Sequence, residues 1–169
     1  MANGLLKLVL GAGLAAGLGA KANAEEWHEY NGHLYAMTPT TMGWWEAENY
    51  AVALGMDAHL VTINDDAENT WLRAILTPPG EHWMGLNKLS GDWEWISGED
   101  VTYTNWAPGQ PGSVPSHTYS SFNGTAGNWW AVPSNYNYFG IVESSIPEPS
   151  TLGLLVAGAV GVGATRRRK

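Results

Sequence analysis

The sequence predicts an α+β domain, because two helix-patterned segments come first and several short strand-patterned segments follow. Thr41 to Leu54 places Trp44, Ala47, Ala51 and Leu54 at i, i+3, i+7 and i+10, one helical face. Thr40 or Thr41 is positioned to cap this helix, and Gly55 to end it. His59 to Ile63 is a short strand rich in β-branched residues. A second helix opens at Asn64-Asp65, where Asp65 and Glu68 have capping-box spacing. Trp71, Leu72 and Ile75 give it an apolar side, and Pro78-Pro79 stop it. His82 to Asn87, Gly91 to Trp95 and Val101 to Tyr103 read as short strands, with Trp93 and Trp95 on one face by the two-residue period. A loop rich in Gly, Pro, Ser and Asn runs from Ala107 to about Gly127, and Phe139 to Glu143 is a closing strand.

Composition narrows the function classes. Residues 25–146 hold Arg73 and Lys88 against fifteen Asp and Glu, a formal charge of −13. Such a domain repels phosphate backbones, so nucleic acid is excluded as a partner. There is no Cys, so neither disulfides, thiol catalysis nor Cys-based zinc sites are available. Ten Trp are many for one domain, and such rings must fill a core or form a binding surface.

Both ends read as addresses. Lys7 precedes the 13-residue apolar run Leu8–Ala20, and Ala22 and Ala24 occupy the two positions a signal peptidase reads. A bilayer-spanning helix needs about 20 residues, so residues 1–24 read as a cleaved signal rather than an anchor. At the other end Pro147-Glu148-Pro149 sets a helix boundary before an uncharged apolar run and the cluster Arg166, Arg167, Arg168, Lys169. The cluster stays cytoplasmic, which leaves the acidic domain outside. Residues 147–169 resemble the PEP-CTERM sorting signal of Gram-negative bacteria that make exopolysaccharide. The resemblance implies recognition of Pro-Glu-Pro by exosortase, transient insertion of the tail in the inner membrane, and delivery to the cell surface or extracellular matrix.

The middle of the chain, residues 25–146, resembles the C-type-lectin-like domain. The resemblance is carried in order by Gly32 to Tyr35, Trp44 to Ala47, His59 to Asn69, Trp83-Met84-Gly85-Leu86 and Gly91 to Trp95. It continues through Tyr103 to Trp106, Gly109-Gln110-Pro111, Gly127 to Trp129 and Ile141-Val142-Glu143. It implies two helices, short antiparallel sheets, paired terminal strands and a long loop carrying the ligand site, here without the family's disulfides. Sugar-binding members hold Ca²⁺ in that loop through a Glu-Pro-Asn or Gln-Pro-Asp triplet, a further Glu, and an Asn-Asp pair after a Trp. Here the triplet reads Gln110-Pro111-Gly112 and the pair reads Trp130-Ala131. No Asp or Glu lies between Asp100 and Glu143. Gln110, Asn105, Asn123 and Asn128 offer neutral oxygens alone, a poor set for Ca²⁺, so no loop calcium and no other cofactor is expected.

Residues 101–142 are uncharged apart from His117, yet hold Tyr103, Trp106, Tyr119, Phe122, Trp129, Trp130, Tyr136, Tyr138 and Phe139. The resemblance sends Trp106 and Trp129 into the core and leaves Trp130 on the solvent side. Tyr119 reads as a loop residue. These rings either pack the loop down or bind the apolar faces of sugars or a protein patch. On the second reading Trp130 and Tyr119 are anchors, with Gln110, Asn123 and Asn128 as polar partners.

Other motifs carry less. His28-Glu29 with His33 has i, i+5 spacing, which turns the two imidazoles apart on a helix. Ser116-His117 lacks an acid within the loop. His59 and His82 border core strands and read as structural. Asp65, Asp66 and Glu68 read as helix N-terminal charges. No nucleophile, base and orienting group converge, so the expected function is a non-enzymatic binding module for a glycan or exopolysaccharide. The alternative is a matrix or adhesion protein that binds protein partners through the aromatic loop.

Processing at both ends is the first testable consequence. Protein recovered from the native host should begin at Glu25 and lack the Arg cluster by intact mass, and a full-length chain there would contradict this assignment.

Overall fold

Eight strands gather into one sheet against two helices, in a computed structural model that describes residues 26–75 and 79–146. The secretion signal, the sorting tail and Pro78 lie outside the described residues. Strands β1 (His28–Tyr30) and β2 (His33–Met37) form a hairpin, and β2 pairs with the C-terminal β8 (Phe139–Ser145). β3 (His59–Leu60) also pairs with β8. The second half contains β4 (Glu81–Asn87), β5 (Glu94–Trp95), β6 (Tyr119–Asn123) and β7 (Trp129–Val132). The order is β1-β2-β8-β4-β6-β7, with β5 on β4. All pairings are antiparallel except β4 with β8, which run parallel through His82↔Phe139 and Trp83↔Gly140. That single parallel join turns the antiparallel sheets of the sequence reading into one mixed sheet.

The first helix, α1, runs over Trp44–Ala53, with Gly43 at its N-cap. The cap therefore falls two residues later than Thr41, and Glu46 Oε2 accepts from Gly43 N at 3.1 Å. Trp44, Ala47 and Ala51 are buried as the periodicity requires, and the helix stops where Gly55 takes φ +75°. The second helix, α2, runs over Asp66–Ile75. Asp65 Oδ1 accepts from Glu68 N at 2.8 Å, while the Glu68 carboxylate reaches back to Asn64 N at 2.9 Å, a capping box displaced by one residue.

Three sequence expectations change. Val101–Tyr103 forms no strand, and Tyr103 instead sets its ring edge-on to Trp129, centroids 5.6 Å apart. Here aromatic and β-branched residues serve packing rather than ladder pairing. The long loop is interrupted by β6, which the polar run Tyr119-Ser-Ser-Phe-Asn hid from a hydrophobicity pattern. β7 was absent from the sequence reading because the run Trp129-Trp130-Ala131-Val132 shows no alternation, though its burial alternates.

Trp44, Trp83, Trp95 and Trp129 are all at most 2% exposed. Trp83 Nε1 donates to Met42 O at 2.7 Å, and Trp44 Nε1 to Met84 O at 2.9 Å, so these two buried rings satisfy their donors, whereas Trp95 Nε1 has no hydrogen-bond partner among the described residues. Trp95 and Trp129 meet edge-to-face at 5.7 Å, beside Val61, Ile63, Leu72, Leu86 and Phe122.

Three carboxylates are buried within this frame: Glu48, Glu68 and Glu143. Glu48 accepts from Leu60 N at 2.9 Å, and Glu143 from Thr62 N at 2.9 Å. Tyr35 donates its hydroxyl to Glu68 at 2.7 Å and lies 3.4 Å from Glu143, while His33 Nδ1 stands 2.7 Å from Glu143 Oε1. Burial raises all three carboxyl pKa values, against the pull of the backbone donors, and Glu68 adds a like charge facing Glu143. Burial, then Glu143 and Glu68, holds the Tyr35 hydroxyl well above the usual tyrosine range, so it remains a donor.

Removing the Trp83 ring should destabilise the domain: Trp83→Ala is expected to cost about 3–5 kcal/mol in denaturant unfolding. Gly85→Ala should also be costly, about 1–3 kcal/mol or more, because an added Cβ would lie 2.5 Å from Leu60 O and 3.1 Å from Val61 O. A second expectation concerns pH. Folded-state pKa values raised above the ordinary 4.5 mean that the neutral carboxyls favour folding. That contribution is complete below the unfolded value and is lost as pH rises through the folded ones. The melting temperature should therefore fall as pH increases from 4.5 toward neutrality, and Glu143→Gln should make that dependence shallower. An unchanged slope would assign the pH dependence to other groups.

Candidate functional site

The long loop is held at its root by α2. Asn69 Nδ2 donates to Gly127 O at 2.8 Å, and Trp129 Nε1 donates to Asn69 Oδ1 at 2.8 Å. Asn105 Nδ2 donates to the same Gly127 carbonyl at 2.9 Å. The loop then lies along the free edge of β7. Trp129 N donates to Asn105 O at 2.8 Å, Ala107 N to Trp129 O at 2.9 Å, and Ala131 N to Gln110 Oε1 at 3.0 Å. The outer edge of the sheet is thereby covered by backbone and amide partners instead of being left as a template for another strand. The Gln110–Pro111 peptide is cis, and Gly112 follows at φ +64°.

This arrangement brings Gln110 beside the Trp130-Ala131 pair, the two loop positions that sequence reading linked. It commits the Gln110 carbonyl to a backbone N–H. Asn123 and Asn128 also meet, at the β6–β7 turn, where Asn123 N donates to Asn128 O at 2.9 Å. The Asn123 side chain is occupied: Oδ1 accepts from Thr125 N and Ala126 N, and Nδ2 donates to Glu81 Oε1 at 2.7 Å. Asn128 Oδ1 is enclosed, with no hydrogen-bond partner among the described residues.

Tyr119 departs from the sequence expectation. It is not a loop residue but the first residue of β6, 6% exposed, packed 5.0 Å from Trp44 and 6.4 Å from Trp83. Strand pairing with Val132 aims its ring into the cluster formed by α1 and β4. Its hydroxyl accepts from Trp45 Nε1 at 3.1 Å. Trp130 stays on the surface at 39% exposure, and Trp106 is half-buried against Trp129 at 5.8 Å. Thus most rings of residues 101–142 pack the loop, and Trp130 with Tyr136 remain outside.

The register shows where Trp130 points. Ser121 pairs with Trp130 and Tyr119 with Val132, so these four share one sheet face, and Trp83 joins them by pairing with Ser121. Trp129, Ala131 and Phe122 occupy the opposite face, in the core. Glu81 extends the Trp130 face, accepting from Ser121 Oγ at 2.6 Å and from Asn123. Tyr138 packs against Trp83 with ring centroids 4.7 Å apart and planes tilted by 53°, and its hydroxyl is pushed up to about 12 by burial, then by Glu81 and Tyr136, so it stays protonated at neutral pH. Sequence reading does not single out Glu81 or Trp45, and it names Tyr136 and Tyr138 only among the rings of residues 101–142. Trp45 carried a signal, since at 100° per residue it falls off the face marked by Trp44, Ala47 and Ala51.

The donor set at the loop is neutral: Gln110, Gly112, Trp130 and Ala131 present no carboxylate, which does not suit Ca²⁺. Among the described residues no group of three or more His, Asp or Glu is arranged to hold a metal. The charges at the start of α2 are used within the fold, Asp66 accepting from Tyr103 Oη at 3.2 Å. A pocket of about 150 Å³ lies elsewhere, lined by Tyr35, Met37, Ile75 and Ile141 with Glu26 and His28, and is smaller than the roughly 300–1,000 Å³ of typical small-molecule sites.

Residues 40–139, more than half of the chain, match the Lectin C-type domain. The chain belongs to the C-type lectin domain family. Over 123 residues it is 31% identical to a perlucin-like protein of Mytilus galloprovincialis, covering 69% of this chain and 72% of that protein. It is 33% identical over 112 residues to human C-type lectin domain family 17, member A, covering 62% of this chain and 28% of the human protein. Among solved structures, the C-type lectin CEL-I from Cucumaria echinata superposes with a TM-score of 0.63 at 26% identity, covering 69% of this chain and 93% of CEL-I. The lectin domain is followed by a PEP-CTERM protein-sorting motif at residues 145–169, which implies export, membrane sorting and exosortase processing. Among the described residues no helix is long and apolar enough to cross a membrane.

Proposed function

We propose that this protein is a non-enzymatic carbohydrate-binding module displayed or released outside the cytoplasmic membrane, and that it binds a neutral glycan or exopolysaccharide without calcium in the long loop. The observation that carries the reading is Trp130, an exposed indole where the family's calcium binders place an oxygen ligand. A lectin fold supports sugar as the ligand class, and the C-terminal sorting motif supports an extracellular workplace. With the Gln110 carbonyl spent on Ala131 and no loop carboxylate, recognition falls to ring stacking and neutral hydrogen bonds. Asn128 acts through its backbone carbonyl, which fixes the β6–β7 turn, since its Oδ1 is enclosed and out of a sugar's reach. Gln110 and Asn123 act chiefly by fixing the backbone on either side of Trp130, and Tyr119 by supporting Trp45. A second reading, adhesion to a protein partner through the loop, draws on Val114, which stands 50% exposed near the loop tip.

Screening the purified protein on a glycan array and against matrix proteins separates the two. Sugar binding should persist in excess chelator, and Trp130→Ala should weaken it about tenfold, roughly 1.4 kcal/mol, with an unchanged melting temperature. Chelator-reversible sugar binding would show that the loop does hold calcium. A signal on proteins alone would favour adhesion.

A further inference from the structure

Among the described residues three Trp, Tyr or Phe side chains stand exposed: Trp45 at 49%, Trp130 at 39% and Tyr136 at 47%. They are far apart in sequence, yet all three border one cluster of buried rings. Trp45 meets Trp44 edge-on at 5.0 Å and donates to the Tyr119 hydroxyl. Tyr119 packs on Trp44 and Trp83. Trp83 carries Tyr138, and Tyr136 stacks on Tyr138 at 5.4 Å with planes 12° apart. Trp130 reaches the same face through the row Trp83–Ser121–Trp130, two interstrand steps or about 10 Å wide. Each exposed ring is thus backed by another ring or by the sheet, which holds it rigid at little entropic cost on binding.

We infer that a neutral, hydroxyl-rich saccharide chain lies along the exposed margin of this buried cluster, across β7 and the first turn of α1, stacking on Trp45, Trp130 and Tyr136. The inference rests on the carbohydrate reading above and extends it from one loop residue to an extended platform. Charge supports the occupant: the domain's formal charge of −13 and Glu81 within the face disfavour a polyanion. Glu81 has accepted Ser121 and Asn123, and a carboxylate has about four acceptor sites, so sugar hydroxyls find acceptors beside the rings. The rings are interspersed with polar side chains rather than fused into an aliphatic patch, as suits a ligand with alternating apolar faces and hydroxyl edges.

Affinity electrophoresis of the purified protein through gels containing a soluble neutral glucan, mannan or galactan, or anionic alginate, tests this. At least one neutral polymer should retard the protein and alginate should not. Trp45→Ala and Tyr136→Ala should each weaken retardation about five- to tenfold, Leu89→Ala on another exposed site should not, and Tyr136→Phe should restore binding. Loss of binding in Trp130→Ala with none in Trp45→Ala and Tyr136→Ala would overturn the platform while leaving the carbohydrate reading intact. Retardation by no polysaccharide would overturn both. Self-association of the wild type that Trp45→Ala abolishes would also overturn the inference, by making this face an interface between copies. Circular dichroism of each variant guards against loss of fold.

Discussion

The buried Glu143 carboxylate holds together parts of the chain that lie far apart in sequence and share no cross-link. From β8 it accepts the backbone N–H of Thr62, meets His33 of β2, and faces Tyr35, which donates to Glu68 on α2. A carboxylate without such partners would cost several kcal/mol to bury, so each contact is enforced by the others. Glu68 is followed by Asn69, whose side-chain amide ties down Gly127 and Trp129. One polar chain therefore runs from the terminal strands to the root of the long loop. Strand pairing, helix orientation and loop position are coupled through it.

Aromatic packing does the complementary work. In a chain without Cys, stability rests on burial, and Trp44, Trp83, Trp95 and Trp129 supply large apolar areas with their donors mostly satisfied inside. The sheet divides these rings between two faces. One face packs Trp95, Trp129 and Phe122 beneath the loop. The other packs Trp44, Trp83 and Tyr119 and leaves Trp45, Trp130 and Tyr136 outside. The surface proposed to recognise ligand is thus the margin of a core. Its rings owe their exposure to position in the weave and their rigidity to the buried rings behind them.

Much of this was legible before folding was considered. The helical faces of α1 and α2, the core strand around Trp83, the loss of loop carboxylates and the solvent-side place of Trp130 all follow from spacing or from the family's motif order. Elements carried by polar or non-alternating residues were not legible. The run Tyr-Ser-Ser-Phe-Asn of β6 contains little apolar signal, and its burial arises because β4 and β7 flank it. Tyr119 was misplaced for that reason.

The sequence by itself determined the export and sorting logic, the acidic character, the absence of disulfides and the neutral chemistry of the loop, because each is a property of residue identity and order. Tertiary structure alone decided which of the many rings face solvent. Exposure depends on strand register, and a shift of one residue would exchange Trp130 with Trp129 between surface and core. It also decided that Trp45, Trp130 and Tyr136 all border the cluster of Trp44, Trp83 and Tyr119, since a 3.6-residue helix and a two-residue strand bring distant positions together only when their axes are packed.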